Sequence, residues 1–130
     1  RSENIELIKK NYGKKIILID RFVDSTVAYQ HYGMGLNINL IKTVNKFLLK
    51  DIKISFTFLN LVNKKNMKLR LSKRKNLNKY DQFENNFYRN VQSGFIKISK
   101  KKPSKYLIIN SNLDINYNKQ LIFDKINKLI

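Results

Sequence analysis

Apolar residues in this chain fall into two kinds of run. Ile5, Leu7, Ile8 and Tyr12 recur at roughly helical spacing and stop at Gly13, which predicts an amphipathic helix ended by a left-handed glycine. Ile16-Ile17-Leu18-Ile19 is short, β-branched and continuous rather than alternating, the pattern of a strand buried on both faces of a parallel sheet. That pattern returns at residues 54–59 and 106–109. Between the first two runs, residues 37–50 carry one stripe of Ile38, Ile41, Val44, Leu48 and Leu49. Between the second and third, residues 81–101 place Phe83, Phe87, Val91, Phe95 and Ile98 at helical spacing, and Pro103, which cannot extend a helix, closes them. Residues 116–130 repeat the stripe with Leu121, Ile122, Ile126 and Leu129. Strand and helix alternate, which predicts a single α/β domain over residues 1–130, with parallel strands joined by right-handed helical crossovers.

Charge changes this picture less than its size suggests. Lys and Arg number 27 against 9 Asp and Glu, a formal +18 that attracts phosphate-bearing partners such as nucleotides, nucleic acid or membrane surfaces. Lys, Asn and Ile are over-used together along the whole chain, however, so drift of the gene toward A and T accounts for most of the excess. The one low-complexity patch, residues 64–79, is basic. Absence of Cys excludes a disulfide framework and thiolate metal sites and makes a reducing cytoplasm the default compartment. No apolar stretch approaches the roughly 20 residues that span a bilayer, and residues 1–10 lack the core of a signal peptide.

In open α/β sheets ligands bind beyond the carboxyl ends of the strands. After the first strand-like run stands Asp20-Arg21-Phe22-Val23-Asp24-Ser25-Thr26-Val27-Ala28-Tyr29-Gln30. A carboxylate and a guanidinium at a strand tip suit Mg²⁺ and bidentate phosphate binding respectively, or simply pair with each other. The whole string, with Tyr32-Gly33-Met34-Gly35-Leu36 after it, resembles the thymidylate kinase signature, in which Asp-Arg-aromatic ends a strand and a Ser/Thr-x-x-Ala-Tyr-Gln helix follows. Arg70 and Arg74 with Asp81-Gln82-Phe83-Glu84, then Phe87, Val91 and Gly94-Phe95, resemble the family's arginine-bearing lid, residues 64–82, and the helix after it; residues 106–110 resemble the strand before its adenine-side loop.

The resemblance implies a P-loop kinase-like, three-layer fold, a parallel sheet flanked by helices, and transfer of the ATP γ-phosphoryl group to dTMP. Arg21 would bind the dTMP phosphate, a task its fork suits better than Lys. Asp20 would lie beside Mg²⁺ and the transferring group, with Glu84 a further candidate for organising the metal. Thr26 and Gln30 would hydrogen-bond the thymine edge, and Tyr29 would sit against the deoxyribose and disfavour a ribose hydroxyl. Arg70 and Arg74 would close over the ATP phosphates as catalytic and cofactor-binding groups. A homodimer is implied by the family alone. His31 reads as a surface residue, because transfer onto an already charged phosphate oxygen needs no base. Gly33 and Gly35 read as a turn.

Departures from the family pattern are of two orders. Ile54-Ser55 replace a common Pro-Asp, Gln82 an Arg and Asn110 an Asp. More seriously, nothing matches the Gly-x-x-x-x-Gly-Lys-[Ser/Thr] phosphate loop, which in the family lies upstream of where this chain begins. The chain is therefore expected to be the C-terminal two-thirds of a kinase, lacking a strand that would lie between residues 16–19 and 54–59, and to be poorly folded and inactive alone. The rival readings are a basic nucleic-acid-binding module, which leaves Asp20 to Gln30 unexplained, and a kinase for another nucleoside monophosphate.

Overall fold

Two helices begin where a side chain replaces a missing backbone acceptor. Asn37 accepts from the Asn39 N–H (2.8 Å) and opens α3, Ile38–Leu48, while Asp114 accepts from the N–H groups of Asn116 and Tyr117 (2.8 and 3.1 Å) and opens α6, Ile115–Asn127. The computed structural model describes residues 2–73 and 85–130. Its other elements are α1, Ser2–Asn11; α2, Val23–Thr26, running directly into a π-helical segment, Val27–Gly33; β1, Thr57–Leu61; α4, Lys64–Ser72; α5, Asn85–Lys100; a 3₁₀ turn, Pro103–Lys105; and β2, Tyr106–Asn110. Gly13 takes φ +74 just beyond α1, as the glycine stop predicts. Pro103 stands in the 3₁₀ turn beyond α5. Among the described residues no helix is long and apolar enough to cross a membrane.

β1 and β2 are parallel neighbours, in register from Thr57 opposite Tyr106 to Leu61 opposite Asn110, and the chain returns between them through α4 and α5. The α/β class and the parallel pairing thus follow the hydrophobic pattern. Leu59 and Ile109 are buried at the centre of the pair, Ile109 almost completely. The second run pairs over residues 57–61 rather than 54–59, so Ile54 lies outside the ladder and is exposed.

The first run corrects its prediction. Residues 16–19 join no sheet among the described residues. Ile17 packs with Phe22, Leu48 and Leu49 against the buried cluster of Ile5, Ile8 and Ile52, but Ile16 is 67% and Leu18 81% exposed. One face of the run is covered and the other bare. A continuous β-branched run is stable as a buried strand only with neighbours on both sides, and the described residues supply a cover on one side. α3 shows the same one-sidedness: Ile41 is buried while Leu40, Val44 and Phe47 face outward.

The second core joins the π segment to α5. Ala28, Phe87 and Val91 are buried together, with Tyr29, Tyr88, Phe95 and Ile98 packed around them. Two glycines permit this approach. A Cβ on Gly33 would lie 2.6 Å from Phe87 Cε2, and one on Gly94 would lie 2.5 Å from Tyr32 Cδ2. Gly33 is thus a site of close helix contact rather than part of a turn. Gly35, at φ +76 with open space around it, is the turn residue.

Candidate functional site

The segment that leaves the first run reverses direction at Arg21, whose φ of +59 lies in the left-handed region. Non-glycine residues there gather at functional sites, where surrounding structure holds them. The turn starts α2 and brings the Arg21 guanidinium carbon to 4.5 Å from the centre of the Tyr29 ring. Among the described residues neither Asp20 nor Arg21 belongs to an ion pair, so the simple strand-end pairing of the two does not occur. Both line an open hollow of about 560 Å³ together with Leu7, Ile8, Asn11, residues 15–19 and Phe22, while Thr26, Tyr29 and Gln30 lie outside its lining.

Thr26 ends α2, and its hydroxyl oxygen is buried without a hydrogen-bond partner. A buried hydroxyl left so costs free energy unless a ligand or water satisfies it. Tyr29 and Gln30 follow in the π segment, where the Met34 N–H reaches the Tyr29 carbonyl at 3.0 Å. Wide turns of this kind are frequent at functional sites. Tyr29 meets Phe87 and Phe95 edge to face, with centroids 5.9 and 6.3 Å away, while Gln30 is exposed. His31 donates Nδ1–H to the Leu36 carbonyl at 2.8 Å, closing the end of the segment.

A contact that pattern reasoning missed anchors the motif to the sheet. Tyr106, the first residue of β2, donates its hydroxyl to Asp24 Oδ2 at 2.7 Å. Burial and the neighbouring Asp24 carboxylate raise the Tyr106 hydroxyl far above the usual tyrosine value. No spacing rule links two residues so far apart.

At the carboxyl ends of β1 and β2 an asparagine cluster shapes the loop. Asn110 Oδ1 accepts from the N–H and side chain of Asn112 (3.0 and 2.7 Å), and Asn112 Oδ1 accepts from Asn63 N–H and Asn66 Nδ2 (3.1 and 2.9 Å). An amide oxygen at Asn110 makes the acceptor contacts a carboxylate would make, so that departure is locally tolerated. Arg70, on α4, donates to the Ser111 carbonyl at 2.7 Å and so sits at the tip of β2. Arg74, Asp81, Gln82 and Glu84 lie outside the described residues. Among the described residues no group of three His, Cys, Asp or Glu side chains gathers to hold a metal. Asp20 brings a carboxylate to the hollow, and a single carboxylate with substrate phosphates is a donor set that fits Mg²⁺.

Comparison with known proteins agrees with this arrangement. The sequence profile described as "Thymidylate kinase" matches residues 1–122. Thymidylate kinase of Wolbachia pipientis wMel is 36% identical over 73% of this chain and 46% of its own length, and that of Ehrlichia canis (strain Jake) 40% identical over 78% and 48%. The crystal structure of thymidylate kinase from Ehrlichia chaffeensis superimposes on 97% of this chain and 58% of its own, with 30% identity and a TM-score of 0.70. The chain spans about half the length of the curated relatives it matches. With the profile covering nearly the whole chain, the chain belongs to the thymidylate kinase family.

Proposed function

We propose that the full-length protein is a thymidylate kinase, transferring the γ-phosphoryl group of ATP to dTMP to give dTDP for dTTP biosynthesis. The observation that carries the reading is the Arg21 turn: a left-handed backbone aims a guanidinium at the helix holding Thr26, Tyr29 and Gln30. Arg21 holds the dTMP phosphate bidentately while one of that phosphate's oxygens attacks the γ-phosphorus and the bond to the β-phosphate oxygen breaks. The orphan hydroxyl of Thr26 and the amide of Gln30 take the thymine edge, and Tyr29 takes the sugar. Arg70, with Arg74, serves the ATP side, in keeping with its place at the tip of β2. Asp20, with Glu84, would hold Mg²⁺, which would offset phosphate charge during the transfer. A homodimeric, cytoplasmic protein completes the reading.

The decisive measurement is ADP formation from ATP by the full-length protein with dTMP and with other monophosphates. Preference for dTMP is expected, and Thr26→Val with Gln30→Leu is expected to lower that preference by about tenfold per lost hydrogen bond. No dTMP-dependent turnover, or an unchanged preference in the double variant, overturns the assignment of enzyme or of base contacts respectively.

A further inference from the structure

We propose that Tyr29 is the positioning residue for Arg21: its ring face, rather than its hydroxyl, holds the guanidinium where a nucleotide phosphate binds. The inference rests on the kinase reading and extends it. Arg21 is exposed on a long, rotatable stem, so a fixed guanidinium needs a partner. Among the described residues that partner is not a carboxylate. It is the Tyr29 ring, at 4.5 Å.

The choice of partner has a chemical consequence. A carboxylate would occupy the guanidinium's N–H groups, and a phosphate would have to displace it. A ring face engages the guanidinium plane and leaves the donors at its edge open for a bidentate phosphate. Tyr29 is itself held by edge-to-face pairing with Phe87 and Phe95 and by its neighbour Ala28, which is fully buried. Position therefore passes from α5 through the tyrosine ring to the arginine, whose backbone is already set by its left-handed turn.

The test compares dTMP with thymidine, which lacks the phosphate, by calorimetric binding to full-length protein. Tyr29→Leu is expected to lower the ratio of dTMP to thymidine affinity by roughly 3- to 30-fold, the range of a lost cation–π contact. Tyr29→Phe, which keeps the ring, is expected to hold that ratio within about 2-fold of wild type. A ratio unmoved by Tyr29→Leu, or lowered equally by Tyr29→Phe, overturns the inference and leaves the kinase reading standing. Wild-type protein that binds neither compound removes both. Should Tyr29→Leu not fold, the Arg21 side-chain NMR signals of wild type decide: ring-current shifts support the stack, and their absence overturns it.

Discussion

Two flanks of the molecule treat apolar side chains in opposite ways. Where the π segment meets α5, Ala28, Phe87 and Val91 are enclosed and glycines on both helices make room for rings from the other. Where residues 16–19 cross α1, the inner side chain Ile17 is covered while Ile16 and Leu18 stand in solvent. The π segment is thus packed within the chain, whereas the run that presents Asp20 and Arg21 is supported from one side. The seam is expected to be sensitive to single methyl groups and the open flank indifferent to them.

The largest contrast is catalytic. Residues 1–130 alone are expected to show no dTMP-dependent ADP formation, while the full-length protein does; cooperative unfolding together with turnover in the isolated chain would end this view. Next come the glycines. Gly33→Ala in the full-length protein is expected to cost about 1–3 kcal/mol through overpacking against Phe87 and Val91, read as a lowered denaturant midpoint. Gly94→Ala is expected to cost somewhat less, because the intrinsic helix preference for alanine returns roughly 1 kcal/mol. Wild-type stability in either variant would show that the helices have room to part.

A smaller effect belongs to the Tyr106–Asp24 bond. Tyr106→Phe is expected to cost about 1–2 kcal/mol by removing the donor to Asp24. The folded-state value of Tyr106 lies above the ordinary 10.0, so the folded form holds that proton more tightly than the unfolded form. Its contribution is therefore full below about pH 10 and declines as pH climbs further. Alkaline unfolding curves check the sign: Tyr106→Phe is expected to flatten the decline above pH 10. Smallest is Leu18→Lys in isolated residues 1–130, expected to leave helical circular dichroism unchanged while reducing binding of a hydrophobic dye, since the side chain is largely exposed.

How much of this was legible in the amino-acid pattern depends on the range of the interaction. Helices α3, α5 and α6 declared themselves through apolar stripes and stop residues, which are local. The strand at residues 57–61 appeared three residues early, because its limits are set by register with Tyr106 to Asn110 and not by its own composition. Residues 16–19 carry the pattern of a two-sided strand but are covered on one side, so pattern reports the environment a segment suits rather than the one it has. Asp20, Arg21, Thr26, Tyr29 and Gln30 were found through the signature string, and the turn at Arg21 brings it to the helix with Thr26, Tyr29 and Gln30. The contact of Arg21 with the Tyr29 ring, the π turn and the Asp24 bond depend on tertiary placement and left no local trace.

The reciprocal notches at Gly33 and Gly94 restrict how this molecule can change shape. Each helix seats a ring from the other in the space where it lacks a side chain, so sliding along the shared axis would drive an aromatic into main chain on both sides at once. Tilting about the contact meets no such obstacle. The π segment and α5 are consequently keyed to travel as one piece, and any closing motion must bend the chain elsewhere.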